Sequence, residues 1–110
     1  PFAIEIHSLM VFFHTYPLSF QTIPTITIRA QLYEAKETSD IFSAIEETLI
    51  TLTPSITDTT PAWTLLKGEV KISRPVEKNT KLMLVFSATS SGPDPVDAIL
   101  GYAKASLAYT

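Results

Sequence analysis

The sequence contains no cysteine, so its 110 residues offer no disulfide, no thiolate metal ligand and no cysteine nucleophile. Glycine is also scarce, and the three glycines exclude a collagen-like Gly-X-Y repeat within the chain. No run approaches the roughly 18 consecutive apolar residues with which a helix spans a membrane. These absences predict a domain that does not insert into a membrane and that folds without covalent cross-links.

Charged side chains are few: they make up 17% of the residues, against roughly 25% in an average soluble domain. The formal net charge of −3 argues against a nucleic-acid partner, which would need a basic surface. The mean hydropathy is positive, at +0.22, and 45% of the residues are apolar. This composition predicts that part of the surface is covered by further copies of the chain. An uncharged but hydrated surface rich in Thr and Ser is the alternative.

The length fits one domain that spans residues 1–110. The residues after Pro1 already have the pattern of a strand interior, so we expect this domain to be the end of a longer chain. Prolines divide the sequence into segments rich in Ile, Val, Thr, Phe and Tyr, which are typical of strands. Six or seven such segments without a convincing long helix predict an all-β fold, an antiparallel β-sandwich or jelly roll.

Three segments give the strongest strand patterns. Residues 25–35 alternate clearly, while residues 80–89 are apolar on both faces from Leu82 to Phe86, which predicts a central strand. Residues 2–14 alternate weakly, and their apolar second half predicts burial on both sides. For residues 25–35, the predicted inward face consists of Ile26, Ile28, Ala30 and Leu32. For residues 2–14, one predicted face consists of Ile4, Ile6, Met10 and Phe12, and the other of Glu5, His7, Leu9, Val11 and Phe13.

The remaining segments are less regular. Residues 48–53 predict a strand, whereas residues 41–47 fit either a short strand or one helical turn. Residues 62–73 predict a strand interrupted at Gly68, and Asn79 suits a turn that needs the left-handed conformation. The loops are predicted at residues 16–24, 54–61 and 90–97. The last predicted strand covers residues 99–110, with Ala103, Ala105 and Leu107 on one face and Tyr102, Lys104 and Ser106 on the other.

The polar residues show no pattern of an active site. His7 and His14 are too far apart along one strand to share a metal or to form a catalytic pair. Asp94 and Asp97 lie in one predicted loop, but the glycine turn and alternating ligand spacing of a calcium loop are missing. No phosphate-binding loop, nucleophile elbow or His–Glu metal motif is present. The sequence therefore predicts a protein that is not an enzyme and that has no cofactor and no metal site.

The aromatic residues leave two readings open. Trp63 follows Pro61 at the start of a predicted strand, where it would belong to the core or an interface, or would form a platform for stacking sugars. Tyr33 and Tyr102 lie on the more polar faces of their strands and suit a subunit interface, where a large apolar ring with one polar tip is useful.

Four stretches together resemble a known family: residues 25–35 (TITIRAQLYEA), 51–57 (TLTPSIT), 80–92 (TKLMLVFSATSSG) and 101–107 (GYAKASL). In order and spacing they are similar to the C-terminal domain of collagen-like exosporium glycoproteins of spore-forming Firmicutes, the BclB type. The resemblance implies a jelly roll like that of tumour necrosis factor. It also implies a homotrimer at the tip of a collagen-like stalk in the same chain, outside the cell on a bacterial spore surface.

The resulting hypothesis is a structural trimerisation domain of a surface fibre, in which each copy buries an apolar strand face against two neighbours. A monomeric carbohydrate- or receptor-binding β-sandwich module is the alternative, and the tip protein of a virion or another appendage would need the same trimer. The candidates for the trimer interface or the core are Phe13, Tyr33, Leu84, Phe86, Tyr102 and Leu107.

Overall fold

The structure is a computed structural model that describes residues 2–16, 25–91 and 101–110. Its seven strands are β1 (Phe2–Thr15), β2 (Ile26–Ala35), β3 (Ser43–Ala44), β4 (Ile50–Thr51), β5 (Leu65–Glu77), β6 (Lys81–Ser90) and β7 (Gly101–Tyr109), and a 3-10 turn occupies Glu46–Thr48. All strand pairs are antiparallel. The predicted all-β antiparallel sandwich is therefore confirmed.

The strands form two sheets. The first has the order β5-β1-β7; in the second, β2 pairs with β6 on one side and with β3 and β4 on the other. The pairing is nested, because the first strand pairs with the seventh and the second with the sixth. A jelly roll is built on this nesting. Strand β5 pairs with the edge of β1 that is not paired with β7, so that β1 is the central strand of its sheet.

Aliphatic side chains from both sheets form one core. The β2 side chains predicted to point inward are all buried, since strict alternation places them on one face. The completely buried aliphatic residues of the core are Ile6, Val11, Leu52, Ile56 and Leu66.

The predicted faces of the first strand were wrong beyond Ile6. The register of β1 shifts between Ile6 and Ser8 against both of its partners. A bulge of this kind inserts a residue and exchanges the two faces of the strand that follows it. As a result Leu9 and Val11 are buried together with Ile6, while Met10 lies on the outer face and is 36% exposed. The second half of β1 is thus buried on one side only.

The segment after β2 combines the two alternatives that the sequence left open. Residues 43–44 form a short strand, and the 3-10 turn follows at Glu46–Thr48. The strand predicted over residues 48–53 is reduced to β4, since this turn displaces the backbone from β2 before pairing resumes. Further along, Ile56 pairs with Ile26 as an isolated bridge.

Strand β5 is not interrupted at Gly68, contrary to the prediction. The strand runs through Gly68 and Pro75, and Gly68 pairs in register with Val11. The glycine has a packing reason instead, because a Cβ atom there would collide with the Ile50 side chain and lie 3.2 Å from the Thr51 carbonyl oxygen. The predicted turn at Asn79 is confirmed, with a φ of 66° at this residue.

Strand β6 is an edge strand, and its prediction as a central strand was wrong. Among the described strands it pairs with β2 alone. Its inner face packs on the core through Leu82, Leu84 and Phe86, while Met83 on the outer face is 41% exposed. The apolar run therefore reflects one packed face and one uncovered face. The predicted loops at 17–24 and at 92–97, with Asp94 and Asp97, lie outside the described residues.

Candidate functional site

The two sheets are joined along one side of the sandwich. Thr53 and Lys67 exchange two backbone hydrogen bonds of 2.9 Å, which connect the segment after β4 to β5. Arg74 on β5 adds a side-chain link, since its guanidinium donates to Glu34 on β2 at 2.5 Å and to Glu47 in the 3-10 turn at 3.1 Å. This side of the sandwich is therefore closed.

Arg74 is fixed in its charged form by these contacts. Partial burial acts to lower its pKa, but the hydrogen bonds that Arg74 donates to Glu34 and Glu47, together with the charges of these carboxylates, outweigh burial and leave the pKa raised. The ion pairs are partly exposed, so their role is chiefly to fix the relative position of the two sheets.

The opposite side of the sandwich is open. It is bounded by β6 and β7, which are the outer strands of their sheets and do not pair with each other in the described part of the chain. Two residues that are directly paired on neighbouring strands have their side chains on the same face of the sheet. Ala88 faces buried Ile28, and Ala105 faces buried Val11, so both alanines point into the sandwich although both are exposed.

We call this surface the open seam. It comprises six of the inward-pointing residues of the two edge strands, namely Leu84, Phe86, Ala88, Ala103, Ala105 and Leu107. Leu84, Phe86 and Leu107 pack on the core but stay half-buried. An apolar groove of about 380 Å³ enters the core at one end of the seam, between Phe13 and Phe86.

The six predicted interface or core residues fall into two groups. Phe13, Leu84, Phe86 and Leu107 all point inward and contact the core at or beside the open seam. The two tyrosines lie elsewhere: Tyr33 is on the outer face of β2, opposite Met83, and Tyr102 is on the outer face of β7, opposite His14. The faces predicted for the last strand are confirmed by this register.

A second surface lies on the outer face of the β5-β1-β7 sheet. Tyr16 contacts Trp63 edge to face, with ring centroids 5.2 Å apart, and its ring centroid lies 6.1 Å from that of Tyr102. The Tyr102 hydroxyl is hydrogen-bonded to His14 Nδ1 at 2.5 Å. We call these four residues the aromatic cluster. Trp63 is its most exposed member, at 62%.

The backbone holds Trp63 in an unusual conformation. Its φ is 63°, in the left-handed region that bulky residues seldom adopt. Hydrogen bonds to buried Thr15 fix it: the Trp63 backbone N–H donates to the Thr15 carbonyl oxygen, the Thr64 N–H donates to Thr15 Oγ1, and the Thr15 N–H and hydroxyl both donate to the Thr64 carbonyl oxygen. Strain of this kind persists where the surroundings determine the conformation, and it is concentrated at functional sites.

A pocket of about 220 Å³ adjoins the cluster, lined by Phe12, His14, Leu65, Tyr102 and Lys104. Lys67 and Lys104 lie directly across the sheet from Phe12, one on each neighbouring strand. The Lys104 ammonium is 5.7 Å from the centroid of the Tyr102 ring.

The sequence had singled out Trp63 and Tyr102 but not Tyr16 or His14. Tyr16 was assigned to a loop, and His14 was judged only as a metal ligand or as a member of a catalytic pair with His7. The alternation of Phe12, His14 and Tyr16 along the end of β1 is the signal that would have added both residues.

Among the described residues, no helix is long and apolar enough to cross a membrane, and no three His, Asp or Glu side chains are grouped to hold a metal ion. The fold thus defines an antiparallel β-sandwich with one open side and one exposed aromatic surface. Comparisons of the chain with protein-family models, with curated proteins and with solved structures find no match. The resemblance to exosporium glycoproteins therefore stays a hypothesis.

Proposed function

We propose that the chain is a structural assembly domain whose open seam is covered by further copies of the same chain. The observation that carries this proposal is the exposure of Ala88 and Ala105, which point into the sandwich yet have nothing packed over them in the described part of the chain. Apolar side chains in such positions gain free energy when a partner removes them from water, at about 25 cal/mol per Å².

A second copy suits this surface because each chain has two different edge strands beside the seam. Strand β6 has ten residues and β7 has nine, so the edges are matched in length. An edge strand presents unpaired N–H and C=O groups that can pair with another chain. When β6 of one copy meets β7 of the next, the contact joins different surfaces, and such contacts close into a ring where the rotation between successive copies closes.

The ring that we propose is a trimer, in agreement with the expectation from composition and from the resemblance. The setting at the tip of a collagen-like fibre on a bacterial spore surface is part of the same proposal, and it is supported by the resemblance alone. The seam would hold three of the predicted interface residues, Leu84, Phe86 and Leu107.

The test is the mass in solution, measured by light scattering after size-exclusion chromatography. We expect three times the chain mass of 12.1 kDa, and a mass that does not change on dilution through the micromolar range. Ala105→Glu places a charge in the seam and should yield monomers. Ser106→Glu is the matched control, because Ser106 is also exposed but lies on the outer face of the same strand, opposite Met10.

Circular dichroism of both variants separates loss of association from loss of folding. A wild-type chain that is monomeric, or an Ala105→Glu variant that is folded and still trimeric, would contradict the proposed assembly. Equal dissociation by Ala105→Glu and Ser106→Glu would contradict the assignment of the interface to the seam, because the effect would not depend on the face of β7 that carries the charge.

A further inference from the structure

We infer that the aromatic cluster, formed by His14, Tyr16, Trp63 and Tyr102, is a binding site for an acidic carbohydrate. The site lies on the outer face of the β5-β1-β7 sheet, whereas the open seam faces the interior between β6 and β7. The inference therefore does not depend on the proposed assembly.

The first argument is the exposure of the rings. Tyr16, Trp63 and Tyr102 are 38%, 62% and 41% exposed, although a soluble chain ordinarily covers such side chains. Tyr16 lies next to both other rings, with its ring centroid 5.2 Å from that of Trp63 and 6.1 Å from that of Tyr102, so that the rings restrict the movement of Tyr16. A preformed group of aromatic rings with polar tips offers apolar faces on which a sugar ring can stack by its C–H groups.

The second argument is the backbone of Trp63. A φ of 63° is unfavourable for tryptophan, and the hydrogen bonds of Thr15 with Trp63 and Thr64 keep this conformation in place. A packing role would explain the strain if the indole were buried, but 62% of it is exposed. The strained backbone therefore serves to present the ring to solvent beside Tyr16.

The third argument concerns the charge of the ligand. Lys67 and Lys104 flank Phe12 on the same face of the sheet, and neither forms an ion pair with any described residue. Two ammonium groups without an ion-pair partner among the described residues lie near the aromatic cluster of a chain whose net charge is −3, and they favour a ligand with a carboxylate group. The Tyr102 hydroxyl and the His14 ring add hydrogen-bonding groups for sugar hydroxyls.

The chain contains one tryptophan, so fluorescence excited at wavelengths that tyrosine does not absorb reports on Trp63 alone. We would titrate the full chain with oligogalacturonate and with the same oligosaccharide after reduction of its carboxyl groups to alcohols. The inference predicts saturable quenching or a spectral shift with the acidic oligosaccharide. With the reduced one we expect binding weaker by about tenfold or more.

Three variants locate the site. Tyr102→Ala and Tyr16→Ala remove stacking rings and should each weaken binding by about tenfold. Lys104→Gln should weaken binding of the acidic oligosaccharide and reduce its dependence on salt, while leaving the reduced one unchanged. Tyr109→Ala is the control, because Tyr109 is an exposed tyrosine on β7 that lies near the other end of the strand, opposite Ile6.

Three results would overturn the inference. The first is the absence of any response to the acidic oligosaccharide. The second is a response to a single-stranded oligonucleotide that exceeds the response to the oligosaccharide, since stacked rings and lysines are also used to bind nucleic acids. The third is a Trp63 emission at longer wavelength in the monomeric Ala105→Glu variant than in the wild type, because this would show that copies of the chain cover the cluster. The Ala105→Glu variant should bind the oligosaccharide like the wild type, so failure of assembly and failure of binding are distinguishable.

Discussion

A single hydroxyl group maintains the second sheet where its ladder is interrupted. The 3-10 turn at Glu46–Thr48 moves the backbone away from β2, which would leave the Leu32 N–H without a partner on that side. Thr48 is completely buried, and its Oγ1 atom accepts a hydrogen bond from the Leu32 N–H at 3.0 Å. The same hydroxyl donates to the Ile45 carbonyl oxygen at 2.6 Å. The side chain of Thr48 thus replaces a missing strand residue.

The Thr48→Val variant tests this role. Valine has nearly the same shape but leaves the Leu32 N–H and the Ile45 carbonyl buried without this partner, so we expect the free energy of unfolding to fall by about 1–3 kcal/mol. Urea denaturation followed by circular dichroism measures the change. Thr48→Ser keeps the hydroxyl and should retain most of the stability. If Thr48→Val is as stable as the wild type, or Thr48→Ser is the less stable of the two variants, the hydroxyl group does not carry this role.

At the scale of whole strands, the sequence predicted regular alternation well and interruptions poorly. The alternation of β2 identified its buried face correctly, because no bulge or turn falls within Ile26–Ala35. The register shift in β1 between Ile6 and Ser8 cannot be recognised from the residue types, so the two faces of the strand were predicted the wrong way round beyond it. Gly68 was predicted to interrupt its strand, because the local sequence does not show why a glycine is needed there. The cause is the side chain of Ile50, which is distant in the chain and leaves no room for a Cβ atom.

The functional surfaces were also only partly predictable from the sequence, because they depend on which strands are neighbours. The apolar character of Leu84, Phe86 and Leu107 was visible in the sequence, and it identified residues that the fold places at the open seam. That β6 would be an edge strand was not visible, because an apolar run does not reveal which partners a strand has. The aromatic cluster depends on a similar long-range event, the pairing that places His14 opposite Tyr102.

The contact of β5 with the segment around β4 gives a prediction for Gly68. A Cβ atom at this position would collide with Ile50 Cγ2 and approach the Thr51 carbonyl. Overpacking of this kind typically costs about 1–3 kcal/mol, so Gly68→Ala should lower the free energy of unfolding by that amount. Combining Gly68→Ala with Ile50→Ala removes the colliding methyl group. The double variant should then be more stable than the sum of the single effects predicts; additive losses in urea denaturation would show that the two residues do not interact.

For the whole molecule, the decisive property is that the sandwich is closed on one side and open on the other. Backbone hydrogen bonds between Thr53 and Lys67, and the ion pairs of Arg74, hold the sheets together along the β5 side. On the side of β6 and β7, Phe86 and Leu107 contribute to the core but remain half-buried. The stability of a single copy is therefore limited by the side at which water reaches the core.

This asymmetry predicts that the melting temperature depends on protein concentration. If other copies cover the open seam, association stabilises the folded state by mass action, and the melting temperature should rise with concentration.

Phe86→Ala removes the largest side chain of the seam and should lower both the melting temperature and its concentration dependence. The loss in free energy of unfolding caused by Phe86→Ala should approach the roughly 3–5 kcal/mol typical of a fully buried phenylalanine only where copies of the chain associate. Val85→Ala is the matched control, since Val85 is also half-buried but lies on the outer face, opposite Gln31. Calorimetry over a hundredfold range of concentration measures these effects, and a melting temperature of the wild type that stays constant over this range would show that copies of the chain do not cover the seam.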